Sequence, residues 1–194
     1  MQINTEKDRS FIFDAQITTH AINLAKVNAI DFLSDARLFL DTQKYVFDYY
    51  GLDKLCTIYD VYNIESEALG QKMKYFSNDM PAVDTSRPFI ENKSDIKRIR
   101  DIDFKKNSRC RFVLDLIGLY QQEIGKGFKP RFCAPFSLAV NIRGFNNLIN
   151  DIYSDRKFIK ELLSRINHNL IAPWIRLQRE ELTDLERVAS GADA

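Results

Sequence analysis

The sequence predicts an α/β fold, and three stretches carry that reading. Leu55 to Tyr59 is a continuous apolar and β-branched run ending at Asp60, the pattern of a strand buried on both faces of a parallel sheet. Arg131 to Cys133 is a second short extended run, because Lys129 and Ala134 each precede a proline and are pushed away from helical geometry. Between them Val113, Leu116, Ile117 and Tyr120 recur at i, i+3, i+4 and i+7, which predicts a helix from about Arg109 to Ile124, ended by Gly125 and Gly127. Strand, helix, strand in that order is the repeating unit of a parallel α/β fold.

The other elements follow in chain order. Residues 1–16 mix charges and aromatics without a period, an N-terminal arm whose Phe11, Ile12 and Phe13 dock on an unidentified surface. From Thr18, Ala21, Ile22, Ala25 and Ala29 recur at helical spacing. Ser34-Asp35 can cap a second helix running to Tyr50, with Leu38, Tyr45, Val46 and Tyr49 as its apolar face, and Gly51 stops it. Core packing with hydroxyls at the surface is the expectation for Tyr45, Tyr49 and Tyr50.

Asp60 sits at the carboxyl end of the first predicted strand. An aspartate there caps a turn or lines a site, and the residues alone leave both open. Glu65 and Glu67, two apart, face different ways on a helix, so they read as solvated or locally paired carboxylates. Met73, Tyr75, Pro81 and Pro88 describe short extended segments of a lid or rim. Ser94-Asp95 caps a short helix with Ile96 and Ile99 inward and Lys97, Arg98 and Arg100 solvated.

Pro135 can stand at the first position of the helix opening with Phe136 and Ser137, so a strand ends at a helix mouth. In parallel α/β folds ligands bind at the carboxyl ends of strands, which makes Ala134 to Arg143 the first place to look for a site. Phe158, Leu162, Ile166, Leu170, Trp174 and Leu177 form a four-residue stripe through a helix expected to reach Glu181, with a kink at Pro173. His168 lies off that stripe and reads as a surface histidine.

With 194 residues, 45% of them hydrophobic, the chain is long enough to bury a core. Its 28 basic and 27 acidic residues leave a net charge of +1 without a basic block, which argues against nucleic acid or an anionic membrane as partner. No apolar run approaches the roughly 20 residues of a membrane span, and Glu6, Lys7, Asp8 and Arg9 interrupt any signal-peptide core, so the expected location is cytoplasmic. Cys56, Cys110 and Cys133 are odd in number and widely spaced, which suits reduced thiols. Without a Cys-x-x-Cys or His-x-Cys pair, and with His20 and His168 far apart, a zinc site made wholly within this chain is not expected.

The run Ala134-Pro135-Phe136-Ser137-Leu138-Ala139 is followed by Gly144, Leu148, the helix start Ser154-Asp155 and a closing Gly191-Ala192-Asp193-Ala194. Together these resemble the uroporphyrinogen decarboxylase superfamily. That superfamily includes uroporphyrinogen decarboxylase and the cobalamin-dependent methyltransferases that move a methyl group to thiols such as coenzyme M. Tyr59-Asp60 and Glu65-Ser66-Glu67-Ala68-Leu69-Gly70 fit its first strand and the segment after it. The resemblance covers most of Phe32 to Ala194. It implies the N-terminal portion of a (β/α)8 TIM barrel, incomplete in this chain, since such a barrel needs about 250 residues and eight strands. It divides the chain into an arm and helix, 1–31, and a barrel part, 32–194, holding about two strands and the start of a third at Arg187 to Ala194.

The resemblance also implies roles. In the decarboxylase, the aspartate at the Asp60 position lies in the pocket and hydrogen-bonds the substrate's pyrrole N–H groups, making Asp60 the candidate catalytic residue. Tyr62, Phe136 and Asn141 are the candidate substrate-binding residues around the same mouth. For function it implies methyl transfer between a corrinoid and a thiol, or alternatively porphyrinogen decarboxylation. The decarboxylase pattern has an arginine-rich N-terminal motif and a pocket tyrosine, whereas residues 1–50 hold only Arg9 and Arg37, and the tyrosine position matches Asn141. A non-catalytic fragment acting only with a completing chain is the third reading. This chain alone is expected to bind no cofactor; zinc and a partner-borne corrinoid belong to the complete protein. The expected partners are a small-molecule substrate, a corrinoid protein, and a second copy or completing chain.

Overall fold

Residue 12, residues 15–60 and residues 62–190 are described by a computed structural model, with 184–190 as backbone only. Phe11, Phe13 and Gly191 to Ala194, which carried parts of the sequence reading, lie outside the described residues; Ile12 is exposed. Helix α1 (Thr18–Ala25) buries Ala21 and Ile22, and the short α2 (Ala29–Phe32) starts at Asn28, whose side chain accepts from the Ile30 amide. Helix α3 (Ala36–Tyr50) starts at Asp35, which accepts from the Arg37 and Leu38 amides, and ends at Gly51 with φ 59°, a left-handed turn that only glycine enters without strain.

The buried face of α3 is Phe39, Leu40 and Val46. Tyr45 and Tyr49 stand outward and, with Tyr50, pack on one another. The expected tyrosine stripe is therefore wrong. The Phe39 ring lies 4.7 Å from that of Phe32 and 5.8 Å from that of Phe112, and this packing fixes the helix's rotation.

Helix α4 (Ile64–Leu69) leads to two-residue strands β1 (Met73–Lys74) and β2 (Ala82–Val83), paired antiparallel with Met73 opposite Val83. A 3-10 turn, Lys93–Arg98, opens with a capping box between Asn92 and Asp95. Helix α5 (Ser108–Glu123) buries Val113, Leu116, Ile117 and Tyr120 as the periodicity predicts, and packs against α3, α4 and the C-terminal helix. Helices α6 (Pro135–Arg143), α7 (Phe145–Ser154) and α8 (Arg156–Ile166) follow, with Pro135 at the first turn of α6 and Asp155 capping α8.

The chain then runs through a π-helical turn, Asn167–Ile171, into α9 (Ala172–Ser190). The stripe from Phe158 to Trp174 is buried as expected. The wider turn lies just before Pro173, where a kink was expected, and in it the Ala172 amide bonds the Asn167 carbonyl five residues back. Helix α9 passes Glu181 and continues to Ser190, so residues 187–190 do not begin a strand; no glycine or proline interrupts them.

The two predicted barrel strands also need correction. Residues 55–60 and 128–134, the expected extended segments, form no strand; among the described residues the only sheet is β1 with β2, and no parallel pair or closed barrel forms. The polar groups of the second segment have taken side-chain partners instead. The Arg131 carbonyl accepts from the Tyr59 hydroxyl at 3.1 Å and the Gln178 amide at 3.1 Å, and the Cys133 amide donates to Glu65. Pro130 has no donor to give. Side chains thus tie the two segments where a ladder was expected.

Two apolar clusters result. One joins α1, α2, α3 and α5 around Phe39, Leu116 and Trp174; the other joins the 89–99 segment to α6, α7 and α8 around Ile90, Leu138 and Leu162. Ile102 packs against both. Among the described residues no helix is long and apolar enough to cross a membrane.

Candidate functional site

The site is built where the first extended segment turns into α4. Asp60 is 2% exposed, and both of its carboxylate oxygens are engaged. Oδ1 accepts from Asn63 Nδ2 at 2.7 Å and Oδ2 from Arg109 Nη2 at 2.8 Å. Asn63 stands at the cap position of α4 without capping it, since its amide donates instead to Asp60 and the Pro81 carbonyl. Arg109, in the first turn of α5, also donates from Nε to Glu67 Oε2 at 2.9 Å and from Nη1 to the Leu33 carbonyl. Glu67 in turn accepts from the Tyr75 hydroxyl. Burial pushes the Asp60 carboxyl up to about 6, against the lowering pull of Arg109 and Asn63.

Glu65 is the larger departure from expectation. Far from solvated, it is 1% exposed: Oε1 accepts from the Cys133 amide at 2.9 Å, and Oε2 is buried without a partner. Burial pushes its carboxyl up to about 7, with the Cys133 hydrogen bond opposing and Asp60 adding a smaller upward push. Tyr59, just before Asp60, is also buried, and its phenol is pushed far up by burial and then by Glu65.

The remaining candidates lie nearer the surface. Tyr62 is exposed, and its carbonyl accepts from Asn141 Nδ2 at 2.6 Å, which joins the α4 approach to the middle of α6. Phe136, at the start of α6, is about half exposed. A cavity of about 620 Å³ lies elsewhere, between the C-terminal halves of α3 and α5 and the 53–58 segment, with Phe47, Ile58, Tyr120 and Arg131 among its walls; none of Asp60, Tyr62, Phe136 and Asn141 lines it. The structure thus brings Tyr62 and Asn141 together at the surface and sets Asp60 inside, on Arg109.

The family model for uroporphyrinogen decarboxylase (URO-D) matches residues 16–179. The chain belongs to the uroporphyrinogen decarboxylase family. Among solved structures, a methyltransferase from Methanosarcina mazei is similar with a TM-score of 0.67 and 11% sequence identity, a likeness of fold, over 89% of this chain and 52% of that one. The chain therefore spans about half the length of that methyltransferase. No curated protein matches.

Of Arg109 and Glu65, which hold this candidate site together, sequence reasoning gave Arg109 no role and read Glu65 as a solvated or locally paired carboxylate, though a signal existed. Arg109 is four residues before Val113 and so continues the buried stripe of α5; Glu65 is three before Ala68 and four before Leu69 on α4. Charged residues on an apolar stripe mark buried pairs.

The residues present do not fit the zinc ion implied for the family's transferase branch. Among the described residues no three His, Cys, Asp or Glu side chains gather into a metal-holding group. Cys110 and Cys133 are buried, and burial pushes both thiols up. His168 is exposed in the π-helical turn.

Proposed function

We propose that this chain forms part of a corrinoid-linked methyltransferase, passing a methyl group between a corrinoid carried by a partner protein and a thiol or similar acceptor. Membership of the URO-D family and the likeness to a methyltransferase support the reading. The observation that carries it against porphyrinogen decarboxylation is the engagement of Asp60. A carboxylate that binds pyrrole N–H groups must present an oxygen to the pocket, whereas both Asp60 oxygens hold protein donors under 2% exposure.

In this reading Asp60 and Arg109 fix the floor, and Tyr62, Phe136 and Asn141 meet the ligand. Asn141 gives Nδ2 to the Tyr62 carbonyl and keeps Oδ1 to accept from a ligand amide. The exposed rings of Tyr62 and Phe136 offer flat apolar area beside it, which suits a broad macrocycle edged with amides. Activity belongs to the complete protein, since this chain spans about half the length of the similar methyltransferase.

Calorimetric titration of the chain with methylcobalamin tests the proposal. Tyr62→Ala and Asn141→Ala should each weaken binding about three- to tenfold. Binding of uroporphyrin in place of methylcobalamin would move the assignment to the decarboxylase reading. Binding of neither would leave the chain a non-catalytic piece.

A further inference from the structure

We infer that Glu65 is the positioning residue of this site: its carboxyl, in place of a backbone ladder, sets the end of the second extended segment, and with it helix α6, against the turn that carries Asp60 and Tyr62.

In a parallel sheet, neighbouring strands are registered by repeated backbone hydrogen bonds. None joins 55–60 to 131–133. What joins the carboxyl end of the second segment to the first part of the chain is the Glu65 Oε1 bond to the Cys133 amide, 68 residues apart in sequence. Cys133 is followed by Ala134 and the first turn of α6, so the height at which Glu65 holds Cys133 decides where Phe136 and Asn141 stand. Asn141 then meets the Tyr62 carbonyl, closing a ring of contacts that begins and ends beside Asp60. Nearer the amino end of the second segment, the Tyr59 and Gln178 bonds to the Arg131 carbonyl fix its depth and leave its upper end to Glu65.

The group performs this task without a cation. Asp60 pushes its carboxyl up, the Cys133 amide opposes by donating to it, and the neutral side chains of Tyr59, Cys110 and Cys133 stand near it. Arg109, the nearest guanidinium on α5, donates to Asp60, Glu67 and the Leu33 carbonyl, while Arg131 acts on Tyr59. With Oε2 buried and unpartnered, the neutral acid is the form the surroundings favour as pH falls below about 7. Either form of the carboxyl accepts from the Cys133 amide, and that donor favours the carboxylate against the burial that favours the acid. The inference holds whatever the site's substrate, because it concerns how the site is assembled.

Amide hydrogen exchange at Cys133, corrected for the intrinsic pH dependence, tests it in the full chain with Glu65→Gln and Glu65→Ala. Glutamine keeps a carbonyl acceptor and cannot ionise. Glu65→Gln should keep Cys133 protection within about threefold of wild type at pH 6. Glu65→Ala should lose about tenfold or more at Cys133 while amides in the middle of α5 keep theirs. If Glu65→Ala does not fold, the glutamine variant decides alone. The inference is overturned if Cys133 is unprotected in wild type, if Glu65→Ala leaves its protection unchanged, or if Glu65→Gln loses that protection.

Discussion

Arg109 Nη2 lies 2.8 Å from Asp60 Oδ2, and both side chains are more than nine-tenths buried. One guanidinium in the first turn of α5 thereby ties down the end of the first extended segment and, through Nε, Glu67 on α4. Taking two charges out of water is unfavourable, so such a pair contributes little net stability while its removal from one side is severe.

Arg109→Met should therefore destabilise the chain by about 3–5 kcal/mol, because Asp60 is left buried without its cation. Pairing it with Asp60→Asn should recover part of that loss, since the two changes act on one contact. Urea unfolding followed by circular dichroism measures both. Equal stability of the single and double variants would mean the pair is not coupled.

Stability should fall as pH rises from about 4 toward 7. The folded chain holds the Glu65 carboxyl up at about 7, against an ordinary value of 4.5, and Asp60 up at about 6, against 3.8. Groups raised by folding bind more protons in the native state, so their contribution is complete below the unfolded values and is lost as pH passes the folded ones, at about 1 kcal/mol per pH unit. Asp84, Asp103 and Asp155 are held low by exposed partners and act in the opposite sense. The comparison of wild type with Glu65→Gln isolates the raised group: the variant's stability should depend less steeply on pH in this window, and identical slopes would refute the assignment.

The backbone of Leu55, Cys56 and Thr57 has no hydrogen-bond partner among the described residues, although Cys56 and Thr57 are buried. Their amides should exchange quickly in a monomer, in contrast to those of α5. Slow exchange at 55–57, together with a doubled mass by light scattering, would indicate a strand from another chain paired along this edge.

Trp174→Ala should cost about 3–5 kcal/mol. The indole is 1% exposed and stacks on Phe104 at 5.2 Å, seating α9 on the cluster built around α5. A loss below 1 kcal/mol would show that α9 adds little to that core.

The sequence by itself determined several helix starts, one helix end and two buried stripes. Asp35 and Gly51 bracket α3, Pro135 opens α6, Asp155 opens α8, and the stripes of α5 and α8 bury the residues that periodicity names. These features are local: a cap, a left-handed turn or a 3.6-residue period is set by residues within a few positions of one another. The family was legible too, through the order of short motifs along the chain. What only the tertiary structure decided depends on partners far away in sequence. Whether 55–59 and 131–133 pair as strands turned on Tyr59, Glu65 and Gln178 taking the polar groups a ladder would use. Likewise Glu65 looks like one of two surface carboxylates until α4 packs against α5 and α6, and Arg109 looks like a helix-surface cation until Asp60, 49 residues away, meets it inside. A charge's fate depends on what else folding buries beside it, and that juxtaposition is absent from any window of the sequence.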